Sequence, residues 1–420
     1  MSWLGKYKKE LTITVLFCLF AFGFNIYRVQ GDGSFYYNFL ERVLNVPDPE
    51  TPARTGFMQS GCAYFNAPFY LGAYAVEHTF HKKWDWNGIT LLQAAINLAS
   101  NFYMILSLIL AVRILKKLGY RSVIVPITSV LFSTSVFVVA VVMPSYNHAV
   151  DVFINSLFIY LLVHSEESVP VKSFWLGILY IIAVLIRYFN FVLVVPVIIY
   201  YLYKREFRKI SFFFVGIISV IWIVPLIFHT YNGGMFSAFV GGETVKQDIL
   251  NWTRLYPKYF FKILVHPCHG IFVWSPVLIF SAVGLLTMSG DRRKWGYIFG
   301  GLWCLHTMMN GLIPTWHGGW SFSSRLLSGL LPVYIIGIAA MLERYRNKLI
   351  VPVTLCTLYS IFLFFNWYLA IIDGEFGTPF DMIDAWNMGR SYVTGKNLDI
   401  NIFFQRIWEV CRYKYIFRYF

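Results

Sequence analysis

Residues Leu11–Tyr37 read LTITVLFCLFAFGFNIYRVQGDGSFYY. An uncharged apolar run, Leu11–Tyr27, gives way at once to Gln30-Gly31-Asp32-Gly33 and then to Tyr36 and Tyr37. A run of that length suffices for a helix crossing a bilayer hydrocarbon core of roughly 30 Å. Lys6, Lys8 and Lys9 precede it, which places the N-terminus in the cytoplasm by the positive-inside rule. With no small-residue cleavage site after it, the run reads as an uncleaved first helix. Asp32 sits between two glycines just past its end. Glycine permits a sharp turn and a close approach to a ligand, and a carboxylate at a membrane boundary is costly to desolvate without a task or a cation. Asp32 therefore reads as a candidate catalytic residue or as a turn residue. Tyr36 and Tyr37 read as platforms for a sugar ring or as anchors at headgroup level.

The rest of the chain repeats this pattern. Of 420 residues, 58% are hydrophobic, 20% aromatic and only 13% charged, with mean hydropathy +0.59. A soluble domain carries roughly a quarter charged residues, so the composition indicates an integral membrane protein. Further apolar runs at Ile89–Leu115, Val123–Met143, Ala149–His164, Ser173–Ile186, Phe191–Tyr203, Ile210–Phe228, Ile271–Met288, Gly296–Leu312, Leu326–Leu342 and Leu349–Ile372 bring the expected count to about eleven transmembrane helices. The fold class is all-α, a polytopic bundle over residues 1–372. The loop 28–88 is expected outside and carries amphipathic surface helices near Tyr36–Leu44 and Pro68–His81. A tail, 373–420, is placed at the outer interface. Cations recur in every second loop, at Lys116/Lys117/Arg121, Lys172, Lys204/Arg205/Arg208/Lys209, Arg292/Arg293/Lys294 and Arg344/Arg346/Lys348. Much of the net charge of +14 is thus a topological signal, and no nucleic-acid partner is implied. Six cysteines show no metal-ligand spacing; Cys62 and Cys268 both fall in segments expected outside.

The segments assigned to the outer face hold most of the chemistry. Trp316-His317-Gly318-Gly319-Trp320-Ser321-Phe322-Ser323-Ser324-Arg325 offers flat aromatic faces, close backbone approach and a guanidinium able to clamp a phosphate. An aromatic belt with a snorkelling Arg is the plainer account. Arg187 lies in Leu185-Ile186-Arg187-Tyr188-Phe189-Asn190, apolar on both sides, and reads as a site residue or as a boundary Arg against a headgroup. His148 and Asp151 are three apart and share a helix face, to bind substrate or to cap the helix start. His266-Pro267-Cys268-His269 fits no structural zinc site and reads as a turn into a helix. No motif supports a divalent metal or other cofactor, and none is expected.

Together these motifs resemble the GT-C superfamily of polytopic glycosyltransferases. The resemblance rests on Gly31-Asp32-Gly33 before Tyr36-Tyr37, on the Arg187 turn, on Gly270-Ile271-Phe272-Val273-Trp274-Ser275-Pro276-Val277-Leu278 and on Trp316–Arg325 followed by Pro332, in family order. It implies transfer of a sugar from a polyprenyl-phosphate carrier to a lipid-linked or surface glycan acceptor, such as O-antigen or lipopolysaccharide, among membrane lipids. The site would lie on the periplasmic face of a bacterial inner membrane. By that resemblance Asp32 is the catalytic base. Arg187 and Arg325 would hold the phosphate; Tyr36, Tyr37, His148, Asp151, Trp316, His317 and Trp320 are candidates for substrate binding from the motifs themselves. Ser323 stands where the family pattern has glycine, and no second loop acid is evident, which leaves protein O-mannosylation disfavoured. A lipid-linked sugar flippase would require charged or broken helices near the bilayer midplane. An O-antigen polymerase or ligase would lean on external Arg and His instead of an acid after the first helix.

Overall fold

The computed structural model describes residues 3–24, 29, 33–44, 61–86, 89–167, 170–222, 257–267, 269–312, 316 and 322–372. They are helical almost throughout, with one isolated bridge, Asp85 to Thr90, and no strand among them. In chain order the helices are α1 Trp3–Phe24, α2 Gly33–Leu44, α3 Gly61–Thr79, α4 Leu91–Lys117, α5 Ile124–Ser133, α6 Ser135–Phe137, α7 His148–Val163, α8 Val171–Ile186, α9 Val194–Tyr203 and α10 Phe207–Ile221. After residues outside the described set come α11 Pro257–Val265, α12 Ile271–Trp274, α13 Val277–Leu286, α14 Arg293–Gly311 and α15 Leu331–Ile372.

α4 shows how local chemistry bounds these helices. Thr90 caps its start, the hydroxyl accepting from the Gln93 amide at 3.2 Å. At its end Gly119 takes a left-handed φ of 76°. The Gly119 amide bonds back to Lys116 and that of Tyr120 to Leu115, which satisfies carbonyls the helix leaves open.

α4 and Arg325–Phe365 are long and apolar enough to cross a membrane, as is the pair Ile124–Ser133 and Ser135–Val142 if its 76° bend lies within one span. His148–Val163, Val171–Ile186, Tyr188–Tyr203 and Val277–Leu286 are apolar but shorter. Eleven uninterrupted spans are not found among the described residues, because breaks divide several apolar runs. Thr134 is extended (φ −122°, ψ 166°), its hydroxyl donating to the Val130 carbonyl at 2.8 Å, and a π-helical turn, Val138–Val142, follows α6. Arg187 is also extended (φ −147°, ψ 122°), and the chain parts there into α8 and the 3-10 turn Tyr188–Leu193, where the sequence already separates Ser173–Ile186 from Phe191–Tyr203. Ser275 separates α12 from α13.

α15 is two helices that meet at a kink, in keeping with the two expected runs Leu326–Leu342 and Leu349–Ile372. The break falls inside the expected loop Glu343–Lys348, at Tyr345, whose φ of −133° and ψ of 29° are not helical.

The two expected surface helices are α2 and α3, but α2 is not laid against lipid. Tyr36, Tyr37 and Leu40 are buried, and Tyr37 meets Tyr70 of α3 edge-on at 5.4 Å. The apolar stripe of α2 is taken up by protein. Outward helix faces carry large apolar side chains instead, Leu19, Trp222 and Leu286 being 68%, 70% and 72% exposed. Such surfaces are uncommon in water-facing monomers and agree with membrane association.

Contacts gather at two ends of the bundle. At one, Lys116 pairs with Glu10 at 2.6 Å, Lys9 donates to the Arg121 carbonyl, Arg292 pairs with Glu343 at 3.0 Å, and Arg344 donates to the Thr287 carbonyl. At the other, Gly33 packs on Ser145 and Gly61 on the Leu185 carbonyl, both so closely that a Cβ would collide. Ser135 donates to the Ser324 carbonyl there, although the two lie far apart in sequence.

Candidate functional site

The second end holds the most concentrated polar chemistry among the described residues. α7 begins at His148 after Asn147, so Asp151 is already one turn inside the helix. Its carboxylate does not cap the helix start. Oδ2 lies 3.3 Å from Arg187 Nη1, while Oδ1 accepts from Asn190 Nδ2 at 2.7 Å and from Asn155 Nδ2 at 3.0 Å. Asn190 also donates to the Ala183 carbonyl at 2.9 Å, tying the network to the last turn of α8. Arg187 Nη1 is 3.2 Å from His148 Nδ1, which in turn is 2.9 Å from Ser328 Oγ. A guanidinium only donates, so Nδ1 accepts and His148 joins the network through its lone pair.

Every one of these side chains is buried. Arg187 is 7% exposed, Asp151 1% and His148 2%. Arg187 is therefore not a boundary residue reaching for a headgroup. Its charge is met inside the protein, as a buried ion requires. Three segments remote in sequence supply the members: α7, the turn after α8, and the 3-10 turn Arg325–Leu330 before α15. Gly329 lets that last turn press onto the carboxylate, since a Cβ would stand 2.6 Å from Asp151 Oδ2.

Arg325 lies at the rim. It is partly exposed, and its guanidinium carbon sits 5.0 Å from the centre of the Tyr146 ring. Tyr146 and His148 have ring centres 6.3 Å apart, and the Arg325 charge reaches His148. Ser323, two residues earlier, is buried with φ 53°, a left-handed conformation that favours glycine.

Trp316 belongs to a different cluster. It is buried, stacked on Tyr259 at 6.4 Å and approached edge-on by His266 at 5.1 Å and His269 at 6.2 Å. Tyr36 and Tyr37 lie inside the protein, as described above. Asp32, His317 and Trp320 fall outside the described residues, as do Cys268 and the tail 373–420. Among the described residues no group of three or more His, Cys, Asp or Glu comes together to hold a metal ion.

Asn155, Asn190 and Ser328 were not singled out in the sequence, and neither were His306 and Asn310 of α14. The latter two are buried, 2.9 Å apart, with the Arg187 charge reaching His306. A signal did exist for some of them. Asn155 follows Asp151 by four residues, and Asn310 follows His306 by four, so each pair shares a face of an apolar helix. No protein-family model and no curated protein sequence matches this chain.

Proposed function

We propose that the chain is an inverting membrane glycosyltransferase that moves a sugar from a polyprenyl-phosphate carrier to an envelope glycan. The site would be at the periplasmic end of a bundle crossing a bacterial inner membrane about eleven times. The observation that carries this reading is the placement of Arg325 beside Tyr146, on the rim of the Asp151–Arg187–His148 network and close to the Gly33–Ser145 contact. The peptide bond before Gly33 joins it to Asp32. An acid and a rim cation at one end of an apolar bundle are the parts that glycosyl transfer from a lipid phosphate needs. Asp32 takes the proton of the acceptor hydroxyl as that oxygen attacks the anomeric carbon, and the carrier phosphate leaves with the bonding electrons. Arg325 meets the developing charge on that phosphate. Arg187, already matched by Asp151, acts as a positioning residue that holds His148 and Ser328 under the Arg325 turn. The left-handed Ser323 supports the family resemblance, since the family pattern has glycine there.

A second reading has one observation in its favour. The 76° break at Thr134 and the extended Arg187 interrupt apolar helices beside a buried ion pair, an arrangement suited to moving a lipid-linked sugar across the membrane.

Proteoliposomes loaded with polyprenyl-phosphate hexoses, radiolabelled in the sugar, and with envelope glycan acceptor distinguish the two. Wild type should transfer label. Asp32→Asn should lose about 10²–10⁴-fold in rate with its unfolding midpoint unchanged. Arg325→Ala should raise the carrier concentration needed for half-maximal rate. Near-normal transfer by Asp32→Asn removes the base from this scheme, and translocation of label without transfer selects the second reading.

A further inference from the structure

At the opposite end, the turns after α4, after α9 and before α14 enclose two open cavities of about 540 and 510 Å³. They share Gly290, Asp291 and Lys294 in their walls, so they adjoin, and the hollow is the two together. Lys117, Lys204, Arg293 and Lys294 face it from three separate elements, against one carboxylate, Asp291. A fifth cation, Arg292, is matched by Glu343 at 3.0 Å and lies over the Tyr120 ring. Cations thus outnumber carboxylates among the lining residues.

Its outer wall has another character. Ile199, Tyr203 and Tyr297 line the larger cavity and are 51%, 69% and 59% exposed, so an apolar surface runs from the cationic floor out along α9 and α14. Cations at the base and an outward apolar wall complement a molecule with a phosphate at one end and hydrocarbon at the other. The volume lies in the range of small-molecule sites. His306 follows Arg293 by thirteen positions on α14, a rise of about 20 Å, so this hollow is distinct from the buried network.

We propose that this hollow binds the phosphate headgroup of an anionic phospholipid, with the acyl chains lying along Ile199, Tyr203 and Tyr297. The site needs no part of the glycosyl-transfer scheme, and it is read out by binding alone.

The test uses the full chain, purified in neutral detergent and titrated with phosphatidylglycerol or phosphatidylcholine, with retained lipid counted by native mass spectrometry. Wild type should retain phosphatidylglycerol at least about tenfold more strongly than phosphatidylcholine. The variant Lys117→Gln/Arg293→Gln/Lys294→Gln should lose that preference, as each cation near a lipid surface contributes modestly and cumulatively. Lys294→Gln alone should lose part of it with an unchanged unfolding midpoint, which covers the case in which the triple variant fails to fold. Ile199→Ser/Tyr297→Ser should weaken phosphatidylglycerol and leave millimolar inorganic phosphate without effect on retention. Equal retention by wild type and Lys294→Gln overturns the site. Displacement of the lipid by inorganic phosphate makes it a site for free phosphate and overturns the lipid assignment.

Discussion

Asp151 and Arg187 set the energetics of the candidate site. Each is almost wholly buried and finds its charge matched by the other. Removing one member of such a pair typically costs roughly 3–5 kcal/mol, because it leaves an uncompensated charge, whereas removing both can be nearly neutral. Arg187→Met alone should therefore be strongly destabilising, and Asp151→Asn/Arg187→Met should be more stable than Arg187→Met. Denaturant unfolding in detergent, run as a double-mutant cycle, measures this; additive single effects would mean that the two do not act as a pair. Ser323 allows a finer test. A side chain in the left-handed region costs roughly 1–2 kcal/mol, and the buried Ser323 bears that at φ 53°. Ser323→Gly should raise stability by up to about 1 kcal/mol, glycine's greater freedom in the unfolded chain offsetting part of the gain. A loss of stability would show that its hydroxyl outweighs the backbone cost.

At the scale of elements, the helices were legible and only some of their interruptions were. Apolar runs mark a helix because both give long stretches without charge, and α4 begins two residues from its expected start. The same runs are indifferent to a bend. Thr134 stands inside the expected run Val123–Met143 with nothing in the apolar pattern to mark its break, whereas the break at Arg187 already separated Ser173–Ile186 from Phe191–Tyr203. Close helix packing was equally hidden. α8 and α10 meet through Gly177 and Gly216, where a Cβ on either glycine would run into a backbone carbonyl of the other helix, at Phe213 or Phe174. Small residues at such crossings let backbones approach and gain dispersion contacts. Gly177→Val should push the pair apart and cost about 1–3 kcal/mol, in line with overpacked cores. Gly300→Val, where a Cβ would meet nothing within 4 Å, serves as the control and should be near neutral. Similar unfolding midpoints for the two variants would discount the α8–α10 contact.

For the molecule as a whole, composition carried the class and basic spacing grouped the loops, while the site depended on meetings between distant segments. His148 and Asp151 were visible as a pair on one face, and Arg187 as a cation in apolar surroundings. That they belong to one network was not visible, since Asn190 and Ser328 are ordinary polar residues until the fold brings them within 3.2 Å of their partners. Asp32, on which the catalytic proposal turns, remains a reading of sequence. The Asp151–Arg187 bond also has a consequence for how the chain is made. If α7 crosses the membrane as proposed, synthesis delivers Asp151 before Arg187 and the helix carries an unmatched carboxylate into lipid. A lone charge there costs up to roughly 2.5–3.5 kcal/mol at the bilayer centre on insertion scales. Since Arg187 directly follows α8, the cost ends only when that second helix has been translated. α7 and α8 are therefore expected to leave the insertion machinery together as one hairpin, the first helix waiting for the second.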